Sequence, residues 1–261
     1  FRSAPCGSSS LSGGVVTADT HPEPRILICG EDALVVEFGH GIDPVTNDRV
    51  YALAAAVQAA GNTSVIELVP TYRSLLVHYD LELSSVEDMT RFLNDLVSSS
   101  APSIDEHDNT PRRIYELPVA YGGAQGEDLD DVADHAGITA GEVIAIHSGT
   151  DYRVYMLGFA PGFPYLGGMD ERIATPRLAS PRVRVPAGSV GIAETQTGVY
   201  PIASPGGWRL IGNTPVSLFD PNADPPVPFL PGSFIRFVPV SSEEAERIAN
   251  QGAEGTYRGQ M

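Results

Sequence analysis

The 261 residues contain no lysine: all 16 basic residues are arginine. That excludes a P-loop lysine, a Schiff-base lysine and a Ser-Ser-Lys amidase arrangement together, because each needs a primary amine at a set place. Cysteine is nearly as scarce. Cys6 and Cys29 are the two present, and they make neither a disulfide framework nor a metal-ligand spacing, which suits a reducing cytoplasm. The six histidines, at 21, 40, 78, 107, 135 and 147, form no H-x-x-x-H or H-E-x-x-H pair, so no bound metal is expected. No apolar run approaches the ~18 residues of a membrane span. Positive charge is short as well. With 33 acidic side chains the net charge is −17, the reverse of what a phosphate-backbone binder presents, so neither nucleic acid nor membrane is an expected partner.

What the chain has in excess is glycine (27) and proline (22), which favour turns and short strands over long helices. The opening residues 1–24 lack an apolar h-region and read as a flexible leader. Residues 25–98 then alternate as ββαββα: "RILICG", "ALVVEFG", a helix after Asp43 and Pro44 that stops at Gly61, "SVIELVP", "SLLVHYD", and an amphipathic helix over "SSVEDMTRFLNDLV". This order predicts a small α/β sandwich with both helices on one sheet face. Residues 99–112 are polar and aperiodic and read as a linker.

From residue 113 to 240 the pattern changes. Two short helices, the second with a Thr139/Glu142 capping box, precede a series of short apolar strands between Gly/Pro turns, among them "VRVPAGSVGIA", "GVYPI", "WRLIG", "VSLFD" and "SFIRFV". The expected fold is therefore α+β, with an N-terminal sandwich and a C-terminal β-barrel; residues 241–261 add a helix and tail. "AGSVG" resembles a nucleophile elbow at Ser189, but a strand and turn follow where the elbow needs a helix.

The stretch "YMLGFAPGFPY" (155–165) is too rich in glycine, proline and aromatics for regular structure. It reads as a rigid loop at the barrel mouth with Phe159, Phe163 and Tyr165 as walls. His147 lies just before it. Arg182 and Arg184, on one face of "RVRV", suit a carboxylate or phosphate. Glu194, Gln196 and Tyr200 in "AETQTGVYP", and Asn213 in "WRLIGNTP", place polar groups beside tight turns.

In order, "YRVYMLGFAPGFPYLGGMDERIATPR", "SPRVRVPAGSVGIAETQTGVYPIASPGGWRLIGNTP", "LFDP" and "LPGSFIRFVP" resemble the KipI / allophanate hydrolase subunit 1 family. The match extends upstream through "PTYRSLLVHYD". Members are read as the B subunit of bacterial ATP-dependent 5-oxoprolinases. The resemblance implies a cyclophilin-like barrel, a KipA-type partner (the C subunit of such an enzyme) together with its A subunit, a small amide substrate, and ATP as co-substrate of the complex. On that basis Glu194, Gln196 and Tyr200 are the expected catalytic residues. His147, Arg182, Arg184, Phe159, Phe163, Tyr165 and Asn213 are the expected substrate or anion contacts. Glu194 stands where members often have a small residue or aspartate, and Asn213 where they often have arginine. The alternative that the family suggests is a regulatory module that inhibits a histidine kinase, with the aromatic loop as its contact.

Overall fold

The computed structural model describes residues 23–99 and 113–253. Most of the expected leader (1–22), nearly all of the expected linker (100–112), the tail from 254, and Cys6, His21 and His107 lie outside the described residues.

Strands β1 (Arg25–Cys29) and β2 (Ala33–Glu37) form a hairpin, followed by α1 (Pro44–Ala60). A second hairpin, β3 (Val65–Pro70) and β4 (Ser74–Tyr79), leads to α2 (Val86–Ser99). The strands pair antiparallel in the order β1-β2-β4-β3. Alternation decides which face is covered: Leu34, Val36, Leu75, Val77 and Tyr79 turn toward the helices and meet Val50, Leu53 and Val57 of α1 and Met89 and Leu93 of α2. The expected caps of α1 are present. Asp43 accepts a hydrogen bond from the Thr46 amide at 2.7 Å, and Gly61 closes the helix in the left-handed region at φ 62°.

The second part opens with β5 (Ile114–Tyr121), α3 (Leu129–Ala136), α4 (Ala140–Ser148), β6 (Asp151–Leu157) and β7 (Pro164–Gly167). It continues with β8 (Arg182–Val185), β9 (Ser189–Ala193), β10 (Gln196–Val199), β11 (Ser204–Gly206), β12 (Arg209–Asn213), β13 (Phe234–Pro239) and α5 (Ser242–Ala253). Seven strands form one sheet in the order β10-β9-β12-β5-β13-β6-β7, while β8 and β11 pair as a separate ribbon. All pairings in the large sheet are antiparallel except β5 with β13, which run parallel from Ile114↔Phe234 to Val119↔Pro239.

The sheet curls until its end strands, β10 and β7, lie side by side in a nearly closed barrel. Gly198 permits this approach: a Cβ there would come within 3.1 Å of the Phe163 and Trp208 rings. Val119, Tyr152, Val154, Leu166, Val190, Ile192, Ile211, Ile235 and Phe237 fill the interior. Three local expectations differ from the structure. "VRVPAGSVGIA" breaks into β8 and β9 at the Pro186–Gly188 turn. "VSLFD" forms no strand: Leu218 turns into the barrel core without a neighbouring strand to pair with. The end of the aromatic stretch, expected as loop, is strand β7, paired with β6.

Candidate functional site at the barrel seam

The seam between β7 and β10 is where the first sheet domain meets the barrel. Asn47, fully buried on α1, donates from Nδ2 to the Thr71 carbonyl at 3.0 Å and across to the Tyr155 carbonyl of β6 at 3.3 Å. Beside it Asp48 of α1 pairs with Arg153 of β6, both largely buried. Tyr51, one helical turn along, is half-buried, with its hydroxyl buried and unpartnered; burial pushes its phenol up to about 12 against the opposing pull of Arg153.

These contacts lock the β3–β4 turn, whose Thr71 and Ser74 hydroxyls bond each other at 2.8 Å, against the barrel. The turn projects Tyr72 onto the seam. Its ring lies 5.3 Å from Tyr155 and, edge-on, 5.9 Å from Tyr165 of β7. Its hydroxyl accepts a 2.8 Å hydrogen bond from Nε2 of Gln196, the first residue of β10. Tyr72 thus touches both end strands of the barrel. Burial, reinforced by Tyr165 and Tyr155, raises its phenol pKa, with the Gln196 bond opposing; the group stays protonated at any physiological pH.

Glu194 lies at the tip of the β9–β10 hairpin, two residues from Gln196. It holds a positive φ of 52°, and its backbone N–H and C=O pair with Thr175 at 2.8 and 3.2 Å. Its side chain is exposed, with no partner among the described residues. The aromatic loop crosses the same edge. The Ala160 amide bonds the Gly158 carbonyl at 2.7 Å, folding Phe159 into a γ-turn with φ 63° and leaving it 65% exposed. Positive φ at a phenylalanine is a strained conformation, and such strain concentrates at functional sites. Tyr165 is half-buried on the seam.

The remaining expected residues are placed elsewhere. Phe163 and Tyr200, each 2% exposed, pack with Trp208 edge to face in a closed aromatic cluster, and burial raises the Tyr200 phenol. These are packing positions, out of a ligand's reach. His147, at 0% exposure, is sealed inside the barrel: Nδ1 bonds the Tyr121 hydroxyl and Nε2 the Thr197 hydroxyl, both at 2.8 Å, and its ring stacks on Phe237. Thr197 Oγ1 donates to the Gly191 carbonyl, so Nε2 carries the imidazole proton and Nδ1 accepts from Tyr121. Desolvation lowers the His147 pKa to about 3.

Arg182 lies two residues from Arg184 on β8 but, unlike it, is half-buried and engaged. It is held by Asp128 and Glu127, each at 2.8 Å, and by the Trp208 carbonyl, which leaves no fork for an anion. Arg184 is exposed and without a partner among the described residues. Asn213 donates to the Ala187 carbonyl at the far end of β9, about 13 Å from the hairpin tip at ~3.3 Å per residue, so it does not join Gln196. Among the described residues no group of three His, Cys, Asp or Glu side chains is placed to hold a metal ion, and no helix is long and apolar enough to cross a membrane.

The seam therefore gathers Tyr72, Tyr155, Phe159, Tyr165, Glu194 and Gln196. Four of these were expected from the sequence; Tyr72 and Tyr155 were not. The hint for Tyr72 was an aromatic in the hairpin turn "PTYRS", where Gly, Asn or Asp is usual; its partner lies 124 residues away.

A nearly closed barrel with an antiparallel α/β domain docked on it is the architecture of carboxyltransferase-type proteins. The Kluyveromyces lactis urea amidolyase shares this fold at a TM-score of 0.78 and 22% identity, over 94% of this chain and 16% of that one. The chain belongs to the carboxyltransferase domain family, subdomain C and D, matched over residues 24–229. The 5-oxoprolinase B subunit of Bacillus subtilis (strain 168) is 44% identical over 225 residues, 82% of this chain and 92% of that protein. The protein of the same name from Escherichia coli O157:H7 is 42% identical over 219 residues, covering 82% and 95%. A conserved uncharacterized protein of Pyrococcus horikoshii is 48% identical over 84% of this chain and 99% of its own, with a TM-score of 0.50.

Proposed function

We propose that this chain is the B subunit of an ATP-dependent 5-oxoprolinase, contributing half of a site that a KipA-type C subunit and an A-subunit protein complete. The observation that carries this is the near full-length likeness to two 5-oxoprolinase B subunits. The seam suits such a role because it combines aromatic walls, a free carboxylate at Glu194 and a protonated phenol, the equipment to orient a small amide.

A five-membered lactam is an unstrained amide, and coupling to ATP overcomes its stability. Phosphoryl transfer from ATP to the amide oxygen releases ADP and opens the carbonyl carbon to water. Protonation of the ring nitrogen and C–N cleavage then leave an acyl phosphate, which a second water hydrolyses to the ring-opened carboxylate and inorganic phosphate. Lysine is absent from these 261 residues, and Arg153, Arg182 and Arg209 are each committed to carboxylates. The residues that remain for the lactam here are Gln196 and Glu194, with Tyr165 and Phe159 as walls and the unpaired Arg184 as a further candidate for an anionic group.

The test is reconstitution. The three proteins are co-expressed and ADP release is followed with and without 5-oxoproline. The expected result is release that depends on both the lactam and this chain, and that drops at least ~10-fold in Gln196→Ala. A complex that assembles but ignores 5-oxoproline removes the substrate assignment and favours a regulatory, kinase-inhibiting module.

A further inference from the structure

The bond between Gln196 and Tyr72 leaves one group of each side chain unused. Gln196 gives Nε2–H to the Tyr72 oxygen, so its Oε1 remains as an acceptor with no partner among the described residues, and it is not among the buried unpartnered atoms. Tyr72 accepts that bond, so its own O–H remains as a donor. Reversing the amide would exchange the roles yet still leave one donor and one acceptor. The pair is braced by the Tyr155 and Tyr165 rings and by the Asn47 bonds that fasten the turn, which hold the two part-exposed side chains in a set relation.

We propose that Tyr72, reaching over from the N-terminal domain, and Gln196 of the barrel form a two-point reader for an amide whose N–H and C=O lie on the same edge. Gln196 Oε1 takes the substrate N–H, and the Tyr72 hydroxyl gives its proton to the substrate C=O as a hydrogen bond. A lactam presents that edge because its ring forces the amide cis, and urea presents it because each nitrogen carries a hydrogen syn to the oxygen. A trans secondary amide, with N–H and C=O on opposite sides, satisfies one point only. The raised phenol pKa keeps the donor in place through the working pH range. Substrate recognition is then divided between two domains of one chain, with Tyr72 as a binding and positioning residue. The inference rests on the proposed amide-hydrolase reading and narrows its substrate class.

The experiment uses the complex reconstituted from all three proteins, with steady-state kinetics and equilibrium binding of 5-oxoproline, 1-methyl-5-oxoproline and urea. One neutral hydrogen bond corresponds to a roughly 3- to 10-fold effect. Wild type is expected to bind 5-oxoproline ~10-fold more tightly than its N-methyl analogue, which has no N–H to give. Gln196→Leu should reduce that preference to ~2-fold. Tyr72→Phe, which keeps the ring packing, should raise KM for 5-oxoproline ~5-fold while leaving the N-methyl preference in place. A merely structural Tyr72–Gln196 contact would instead change assembly or overall turnover and spare the discrimination. A complex that turns over 5-oxoproline with unaltered KM and preference in both variants overturns the reader and leaves the proposed function standing. Inertness to 5-oxoproline together with urea binding that both variants weaken keeps the reader and replaces the substrate. No binding of either ligand by the assembled complex overturns both.

Discussion

Strand β10 carries two polar networks back to back, and they are built on opposite plans. Thr197 faces the barrel interior, where Thr197, His147 and Tyr121 satisfy one another completely and no atom meets solvent at the histidine. Its neighbour Gln196 faces the seam, where the bond to Tyr72 is made but a donor and an acceptor remain open. A buried network closed on itself specifies the core, and any missing member leaves the others unsatisfied in low dielectric. An accessible network with unused valence costs little to hold and has something to offer a ligand. Arg182 and Arg184 on β8 repeat the contrast, the first saturated by two carboxylates and the second free in solvent.

Breaking the sealed side should give the largest effects. His147→Ala strips the partners of Tyr121 and Thr197 and leaves a cavity beside Phe237, and is expected to cost about 3–5 kcal/mol in urea unfolding. Tyr72→Phe on the open side should cost under ~1 kcal/mol in the same assay. If the two losses prove equal, the contrast between the networks is lost. Arg182→Ala leaves Asp128, whose side chain is 7% exposed, with an uncompensated charge, and should cost about 2–3 kcal/mol. Arg184→Ala should stay within ~0.5 kcal/mol, so any change it makes in turnover reports on the site alone.

Acid provides a finer test. The folded-state pKa of His147, about 3, lies below its ordinary 6.5, so the unfolded chain takes up the proton first. The stability contributed by the neutral imidazole is complete above pH 6.5 and is lost as pH falls toward 3, about 2 kcal/mol being gone by pH 5. Unfolding midpoints measured from pH 7 to pH 5 in wild type and His147→Gln should converge at the acid end. Parallel curves would show that His147 is not the titrating group.

Local chemistry was legible in the sequence. The Asp43 and Gly61 caps of α1, the Thr139/Glu142 box and the first four strands all depend on a few neighbouring residues, and each formed where expected. The barrel was legible too. What stayed hidden depends on distance along the chain. Arg182 looks available until Asp128 is folded onto it, Tyr200 looks catalytic until Phe163 and Trp208 enclose it, and Tyr72 looks like a turn residue until Gln196 arrives from 124 residues away. Residue type alone carries no record of which polar group has been spent on its own fold.

The parallel pairing of β5 with β13 has a kinetic consequence. These neighbours are joined by pairs about 120 residues apart, whereas the first sheet is assembled from two local hairpins. Loop closure over such a span is slow relative to hairpin formation. On the ribosome the first domain can fold while β5 still waits, its inner edge unpaired, for the last strand to be synthesised. Tyr72 is therefore in place before the wall it leans on exists, and the seam is the last part of the molecule to be completed.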